Sequence, residues 1–202
     1  DWDACLLVLE GHSDLVYSVV FLLDSNIVAS ASGDKTVRIW NAKTGKCEQV
    51  LKGHSNSANS VVFSHDSKMA TSASDDGTAR IWSMETGARV RIVPLGFSTR
   101  RLYFTGDDVS GLVTGVGVFS VKNKSNFAPS PIYVGSASSS IHEFSVDGIT
   151  SWISYGERQL IWLPSWCRYG ETAISGNRVV IGCRSGTLVF FSFSLSELRS
   201  LA

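Results

Sequence analysis

A 42-residue repeat constrains this chain more than any other feature. Residues 11–40 read GHSDLVYSVVFLLDSNIVASASGDKTVRIW, and residues 53–82 read GHSNSANSVVFSHDSKMATSASDDGTARIW. Both segments open with Gly-His and close on Trp, and matching residues lie 42 positions apart. Such a period indicates one supersecondary unit per repeat, and each unit must stack on its neighbours because it cannot bury its apolar face alone.

Each repeat divides into four short segments of strand composition. They are rich in β-branched, aromatic or small side chains, and in the first repeat they are residues 16–21, 27–32, 36–40 and 47–51. Gly33-Asp34-Lys35 forms a tight turn, where glycine permits a positive φ. Four short strands in about 42 residues make one blade of a β-propeller. We therefore predict an all-β fold, a β-propeller of about five four-stranded blades, with an incomplete ring as the alternative.

Two sets of four side chains occupy matching places in the repeats. They are His12, Ser30, Asp34 and Trp40, then His54, Ser72, Asp76 and Trp82. Ser, His and Asp are the residue types of a catalytic triad, so a nucleophilic site is one interpretation. However, a buried indole N–H needs a partner, and a Trp–Ser–His–Asp chain of hydrogen bonds satisfies all four groups. Because the set occurs twice at identical spacing, we predict two structural tetrads and no catalytic residue.

The Gly-His openings, the tetrad positions and the closing Trp together resemble the WD-repeat family, over residues 4–93. The resemblance implies a propeller in which these positions form a structural network. The Asp that usually follows the Trp is replaced by Asn41 in one repeat and by Ser83 in the other.

The order of strand-like segments predicts a single β-propeller domain over residues 1–202. The expected units are the regular repeats 10–51 and 52–93, followed by the degenerate blades 94–131, 132–170 and 171–202. Residues 1–9 are interpreted as the end of a preceding blade. The chain starts without Met, which favours a fragment or a processed product.

The strand count leads to a prediction about closure. At 42 residues per blade, 202 residues give about 4.8 blades. The last blade shows three segments, 172–175, 179–183 and 188–193, and residues 5–9 form one orphan strand. Open sheet edges are a liability, which radial closure limits. We predict that residues 5–9 are the outer strand of the last blade and close a five-bladed ring. The rival is an open arc, with residues 194–202 or nothing in that place.

The C-terminal half carries a second resemblance, to the tail of fungal NACHT–WD-repeat proteins of the heterokaryon-incompatibility type. The segments that carry it are 152–153, 160–164, 174–177 and 181–186. It covers about residues 98–194 and implies the sensor end of a signal-transducing NTPase. The Arg-Pro often found after the Leu-Pro of such tails is replaced by Arg168-Tyr169, and no GxxxxGK[ST] motif occurs in the sequence.

Composition argues against several function classes. Eighteen basic residues balance eighteen acidic ones, so we expect no nucleic acid as partner. No apolar run reaches the roughly 18–20 residues that span a bilayer, so we expect no membrane. The four cysteines form no CxxC pair, and the histidines do not complete a zinc pattern. We therefore expect no metal and no cofactor. Because no signal peptide is visible, we also expect a cytoplasmic location.

Recognition of a protein or peptide partner by a rigid scaffold is the function that these observations favour. The tetrads tie the loop before the first strand to the turn before the third, so these loops share one face, and loops carry recognition. The residues expected to point outward from it are Leu15, Tyr17, Gly33, Ser57, Asn59 and Asp75. The alternatives are a propeller enzyme with a channel active site and a truncated fragment without a function of its own. The oligomeric state is left open.

Overall fold

The structure is a computed structural model. It describes residues 5–22, 26–100, 102–105, 111–114, 117–120, 144–146, 152–155, 158–163, 171–175 and 177–193. Within these segments the regular structure is β-strand throughout, which confirms the predicted all-β fold. The strands are β1 (Cys5–Leu9), β2 (Val16–Phe21), β3 (Ile27–Ser32), β4 (Thr36–Asn41), β5 (Cys47–Lys52), β6 (Ala58–Phe63), β7 (Met69–Ser74), β8 (Thr78–Ser83), β9 (Arg89–Pro94), β10 (Leu102–Thr105), β11 (Gly111–Thr114), β12 (Gly117–Ser120), β13 (Phe144–Val146), β14 (Trp152–Tyr155), β15 (Arg158–Trp162), β16 (Glu171–Ser175), β17 (Arg178–Gly182) and β18 (Leu188–Ser192).

The strands pair as antiparallel neighbours in five sheets. β2–β5 and β6–β9 each form a four-stranded meander in chain order. β10–β12 and β13–β15 form sheets with three described strands each, and β16–β18 form a sheet together with β1. The Ser-rich stretch 132–140 and the tail 194–202 lie outside the described residues.

Strands of the last sheet bury side chains on both faces. In β17, Val179 and Ile181 point to one side and Val180 to the other, because successive residues of a strand alternate between faces. Val179 and Ile181 belong to an apolar layer with Ile153 of β14, whereas Val180 shares a layer with Trp40 of β4. A strand buried on both faces needs a continuous apolar run, and β17 reads RVVIG.

Among the described residues, four apolar layers set the order of the sheets. Sheet β13–β15 packs on the last sheet, the last sheet packs on β2–β5, that sheet packs on β6–β9, and β6–β9 packs on β10–β12. This face-to-face succession is how propeller blades stack. A closed five-bladed ring requires a fifth layer between β10–β12 and β13–β15, and closure stays a prediction.

The N-terminal strand β1 completes the last sheet. It runs antiparallel to β18, with Cys5 opposite Ser192 and Leu9 opposite Leu188. The predicted pairing of residues 5–9 with the last blade is therefore confirmed. The place beside β18 that the open-arc alternative gave to residues 194–202, or left empty, is occupied by β1, because β17 and β1 take the two sides of that strand.

Candidate partner-binding face

In the first repeat, the four tetrad side chains form one hydrogen-bonded chain. The Trp40 Nε1–H donates to Ser30 Oγ at 2.8 Å, and the Ser30 hydroxyl donates to His12 Nε2 at 2.7 Å. The His12 Nδ1–H donates to the Asp34 carboxylate at 2.8 Å. A carboxylate can only accept, so it requires the proton on Nδ1 and leaves Nε2 as the acceptor from Ser30.

The second repeat builds the same chain. Trp82 donates to Ser72 at 2.9 Å, Ser72 donates to His54 at 2.8 Å, and His54 donates to Asp76 at 2.9 Å. Identical spacing in the sequence thus gives nearly identical geometry. The second tetrad has one additional contact: the Arg80 guanidinium lies 3.5 Å from the Asp76 carboxylate and forms an ion pair with it.

The histidines of both tetrads are held in the neutral form. Burial lowers the pKa of His12 and of His54 from the usual 6.5, and the hydrogen bonds to their aspartates raise it only in part. Each of the Ser30 and Ser72 hydroxyls accepts one hydrogen bond and donates another, and both residues are fully buried. A serine nucleophile needs access to a substrate, which these buried hydroxyls do not have. The hydrogen-bonded chain is instead suited to holding the loops together.

The aspartates anchor the loops. Asp34 accepts the Ser13 backbone N–H at 3.2 Å as well as the backbone N–H and hydroxyl of Thr36, at 3.0 and 2.6 Å. Burial would by itself raise the pKa of Asp34, but the hydrogen bonds from Thr36 and His12 outweigh it and lower that pKa. The loop before β2 is thereby fastened to the start of β4.

Asp76 fastens the equivalent loop in the next sheet. Burial acts to raise its pKa, and hydrogen bonds from Thr78, His54 and the Ser55 backbone N–H bring it down to about 2. The carboxylate is therefore ionised at neutral pH, and an ionised acceptor makes stronger hydrogen bonds than a neutral one.

The first repeat contributes two of its three expected contact residues to the surface. Leu15 and Tyr17 are half-buried. The expectation for Gly33 was wrong, because this residue is buried. A Cβ at Gly33 would lie 2.7 Å from an Asp14 carboxylate oxygen, so that carboxylate covers the turn. The Gly33 N–H donates to the Leu15 carbonyl at 2.9 Å, which holds Leu15 beside the turn.

The second repeat also departs from expectation at one position. Asp75 is exposed and Ser57 is half-buried, with the Asp75 N–H donating to the Ser57 carbonyl at 3.0 Å. The expectation that Asn59 points outward was wrong, since only 3% of it is exposed. Its side-chain amide donates to the Asp75 carboxylate and to Ser98 Oγ, so the buried Asn59 holds the exposed Asp75 side chain in position.

Ser98 and Arg100 join this face although sequence reasoning missed them. The Ser98 hydroxyl donates to the Asp75 carboxylate. The Arg100 guanidinium lies 6.0 Å from the centre of the Tyr17 ring, a cation–π arrangement that links the loop before β10 to β2. Both residues follow the second repeat, where the 42-residue pattern has ended, so no periodic signal could have identified them.

Both repeats are similar to a known family of repeats. Residues 3–41 and 45–83 match the family model described as WD domain, G-beta repeat. These two segments are similar to WD40 repeats. Each matched segment contains one complete tetrad, and the two segments contain the strands β1–β4 and β5–β8.

Short segments of the chain are similar to WD-repeat relatives with different names. Over 45 residues it is 49% identical to the vegetative incompatibility protein HET-E-1 of Podospora anserina, covering 22% of this chain and 3% of that protein. Over 44 residues it is 50% identical to THO complex subunit 3 of Arabidopsis thaliana, covering 21% and 14%. Over 45 residues it is 51% identical to the probable E3 ubiquitin ligase complex SCF subunit sconB of Arthroderma benhamiae, covering 22% and 7%. The chain thus spans a small part of each relative.

A solved structure of U3-55K is similar to this chain in fold. The TM-score is 0.52 at 20% sequence identity, and the match covers 57% of this chain and 39% of that chain. At this identity the likeness shows the propeller-like fold alone.

The described residues contain no candidate metal site. Among them, no group of three or more His, Cys, Asp or Glu side chains is placed to hold a metal ion, and Cys47 is a free thiol. That same part of the chain contains no helix long and apolar enough to cross a membrane.

Proposed function

We propose that this chain is a non-catalytic recognition module that binds a protein or peptide through the face carrying Leu15, Tyr17, Ser57, Asp75 and Arg100. WD40 repeats generally serve as protein-interaction scaffolds, and two relatives are named as subunits of complexes. The observation that carries the proposal is the continuity of this face across three sheets. Its residues combine apolar, aromatic and charged groups, a composition suited to a protein partner.

The tetrads explain why such a face is pre-organised. Loops that are already fixed lose little conformational entropy on binding, so more of the contact energy appears as affinity. Tyr17 is the central contact of the proposal, because tyrosine is enriched among residues that dominate binding energy. The balanced charge gives no support to nucleic acid as the partner.

Site-directed photocrosslinking tests this function. p-Benzoylphenylalanine is placed at Ser57 in the full-length protein in its native cells, with the same group at Glu85, in the exposed β8–β9 turn, as the matched control. We expect one defined protein adduct from position 57, abolished by Tyr17→Ala, and none from position 85. Equal adducts from both positions, or an adduct that survives Tyr17→Ala, would overturn the proposed face.

We further propose that the module is the sensor end of a fungal NACHT-type NTPase receptor acting in the cytoplasm. Two observations support this: the resemblance of residues 98–194 to the tails of such proteins and the 49% identity to a vegetative incompatibility protein over 45 residues. The full-length open reading frame tests it. An upstream NACHT module with a GxxxxGK[ST] motif is expected, and its absence would overturn the receptor while leaving the recognition module untouched.

A further inference from the structure

A cavity lies at the opposite ends of the strands from the tetrad loops. It has a volume of about 290 Å³ and opens where β1 and β18 meet the β4–β5 turn. The tetrads lie at the end that holds the β3–β4 turn, whereas the cavity lies at the end that holds the β2–β3 and β4–β5 connections, because antiparallel strands alternate their ends. The cavity is therefore independent of the proposed partner face.

The lining of the cavity is mostly apolar, and its polar part consists of two cations together with Asn26 and Ser192. Leu7, Ala42 and Phe190 supply the apolar surface, and Lys43 and Arg178 supply the charge. Leu7 belongs to β1, so the site exists only because the N-terminal strand pairs with β18. No short stretch of sequence contains this combination.

The Arg178 guanidinium is held in place. Its Nη1–H donates to Asn26 Oδ1 at 2.6 Å, and the guanidinium carbon Cζ lies 5.5 Å from the centre of the Phe21 ring. Lys43 is exposed beside it. Among the described residues, no carboxylate forms an ion pair with either cation. A fixed guanidinium next to an apolar wall is suited to bind a carboxylate that carries an aliphatic group.

We propose that this cavity binds the C-terminal residue of a partner polypeptide, with an aliphatic side chain against Leu7 and Phe190 and the α-carboxylate on Lys43 and Arg178. The volume lies just below the roughly 300–1,000 Å³ of small-molecule sites. It therefore fits one side chain and a carboxylate and is too small for a dinucleotide. Capture of a terminal carboxylate is an established mode of peptide recognition.

A titration followed by two-dimensional NMR tests the proposal on the whole 202-residue chain. N-Acetylleucine should cause saturable shifts of the Ala42, Lys43 and Ser192 amides. N-Acetylleucinamide, which has the same shape without the charge, should bind about fivefold more weakly, since a partly exposed charge pair contributes little more than this. The hexapeptide Gly-Ser-Gly-Ser-Gly-Leu should bind at least as tightly as N-acetylleucine.

A pair of lysine variants supplies the control. Lys43→Gln should weaken binding of N-acetylleucine about twofold to fivefold, whereas Lys46→Gln, in the same turn but outside the cavity lining, should leave it unchanged. Absence of saturable shifts, equal binding of the amide, or equal effects of the two variants would overturn the site. Weaker binding of the hexapeptide would overturn the polypeptide as its ligand. None of these outcomes bears on the partner face.

Discussion

At the scale of single residues, the two tetrads show how buried polar groups can be tolerated in a sheet protein. Every donor and acceptor in the Trp–Ser–His–Asp chain has a partner, so burial leaves no group unsatisfied. An unsatisfied buried group costs about 1–3 kcal/mol, and the continuous chain avoids that cost at each step. The arrangement depends on neutral imidazoles, which makes it sensitive to acid.

The stability of the fold should therefore fall on acidification below neutral pH. Burial lowers the pKa of His12 and His54 in the folded state, so the unfolded chain takes up protons that the folded chain does not accept. The free energy of unfolding should decrease as the pH falls from about 7 to about 5. His54→Gln should be less stable at neutral pH but show a smaller decrease, and the His12→Gln/His54→Gln variant should show the smallest.

Thermal melts across this pH range measure the effect. A wild-type slope that persists unchanged in the double variant would contradict it. The lowered pKa values of Asp34 and Asp76 act in the same direction at lower pH, because their stabilising contribution is lost only as the pH falls below about 4.

At the scale of elements, close packing between neighbouring sheets is decisive. β17 approaches β2 so closely that a Cβ at Gly182 would lie 2.9 Å from Val16 Cβ and closer still to Val16 Cγ1. The Val16 N–H also donates to the Cys183 carbonyl at 3.3 Å, so a backbone hydrogen bond joins the two sheets. Glycine is required at position 182 because the gap between β17 and β2 leaves no room for a Cβ.

Gly182→Ala should destabilise the protein by about 1–3 kcal/mol, because overpacking forces the two sheets apart. Thr172→Ala, an exposed position on the adjacent strand β16, should change stability by no more than about 0.5 kcal/mol. Urea unfolding measures both values. Adding Val16→Ala to Gly182→Ala should cost less than the sum of the two single changes, because the residues are in contact. Strict additivity would contradict the packing argument.

At the scale of the whole molecule, β1 brings the two ends of the described chain together. It lies beside β18, and its residue Leu9 is fully buried with Val180 and Trp40 in the layer between the last sheet and β2–β5. An edge strand left unpaired is a template for aggregation, so this pairing protects the last sheet as well as stabilising it.

Leu9→Ala should destabilise the protein by about 2–5 kcal/mol, the cost of emptying a buried leucine site. The neighbouring Val8 points to the other face of β1 and is 39% exposed. Val8→Ala should therefore cost no more than about 0.5 kcal/mol. Equal costs in denaturant unfolding would show that β1 is not docked through Leu9.

The sequence by itself determined the individual strands and the features that repeat. Strands such as Gly111–Thr114 and Trp152–Tyr155 follow from local composition. The tetrad partners follow from spacing, because matched positions in a repeated unit acquire matched neighbours. Even the pairing of β1 with the last sheet could be predicted, since counting strands left one orphan strand and one incomplete blade.

Only the tertiary structure decided what lies between blades. Asn59 is buried because Asp75 and Ser98 cover it, and Ser98 belongs to a loop outside the repeat. The contact of Arg100 with Tyr17 and the cavity beside β1 likewise join residues distant along the chain. A repeat pattern predicts only the surroundings that one unit shares with the next. These features depend on neighbours that occur once along the chain, and the proposed recognition depends on them.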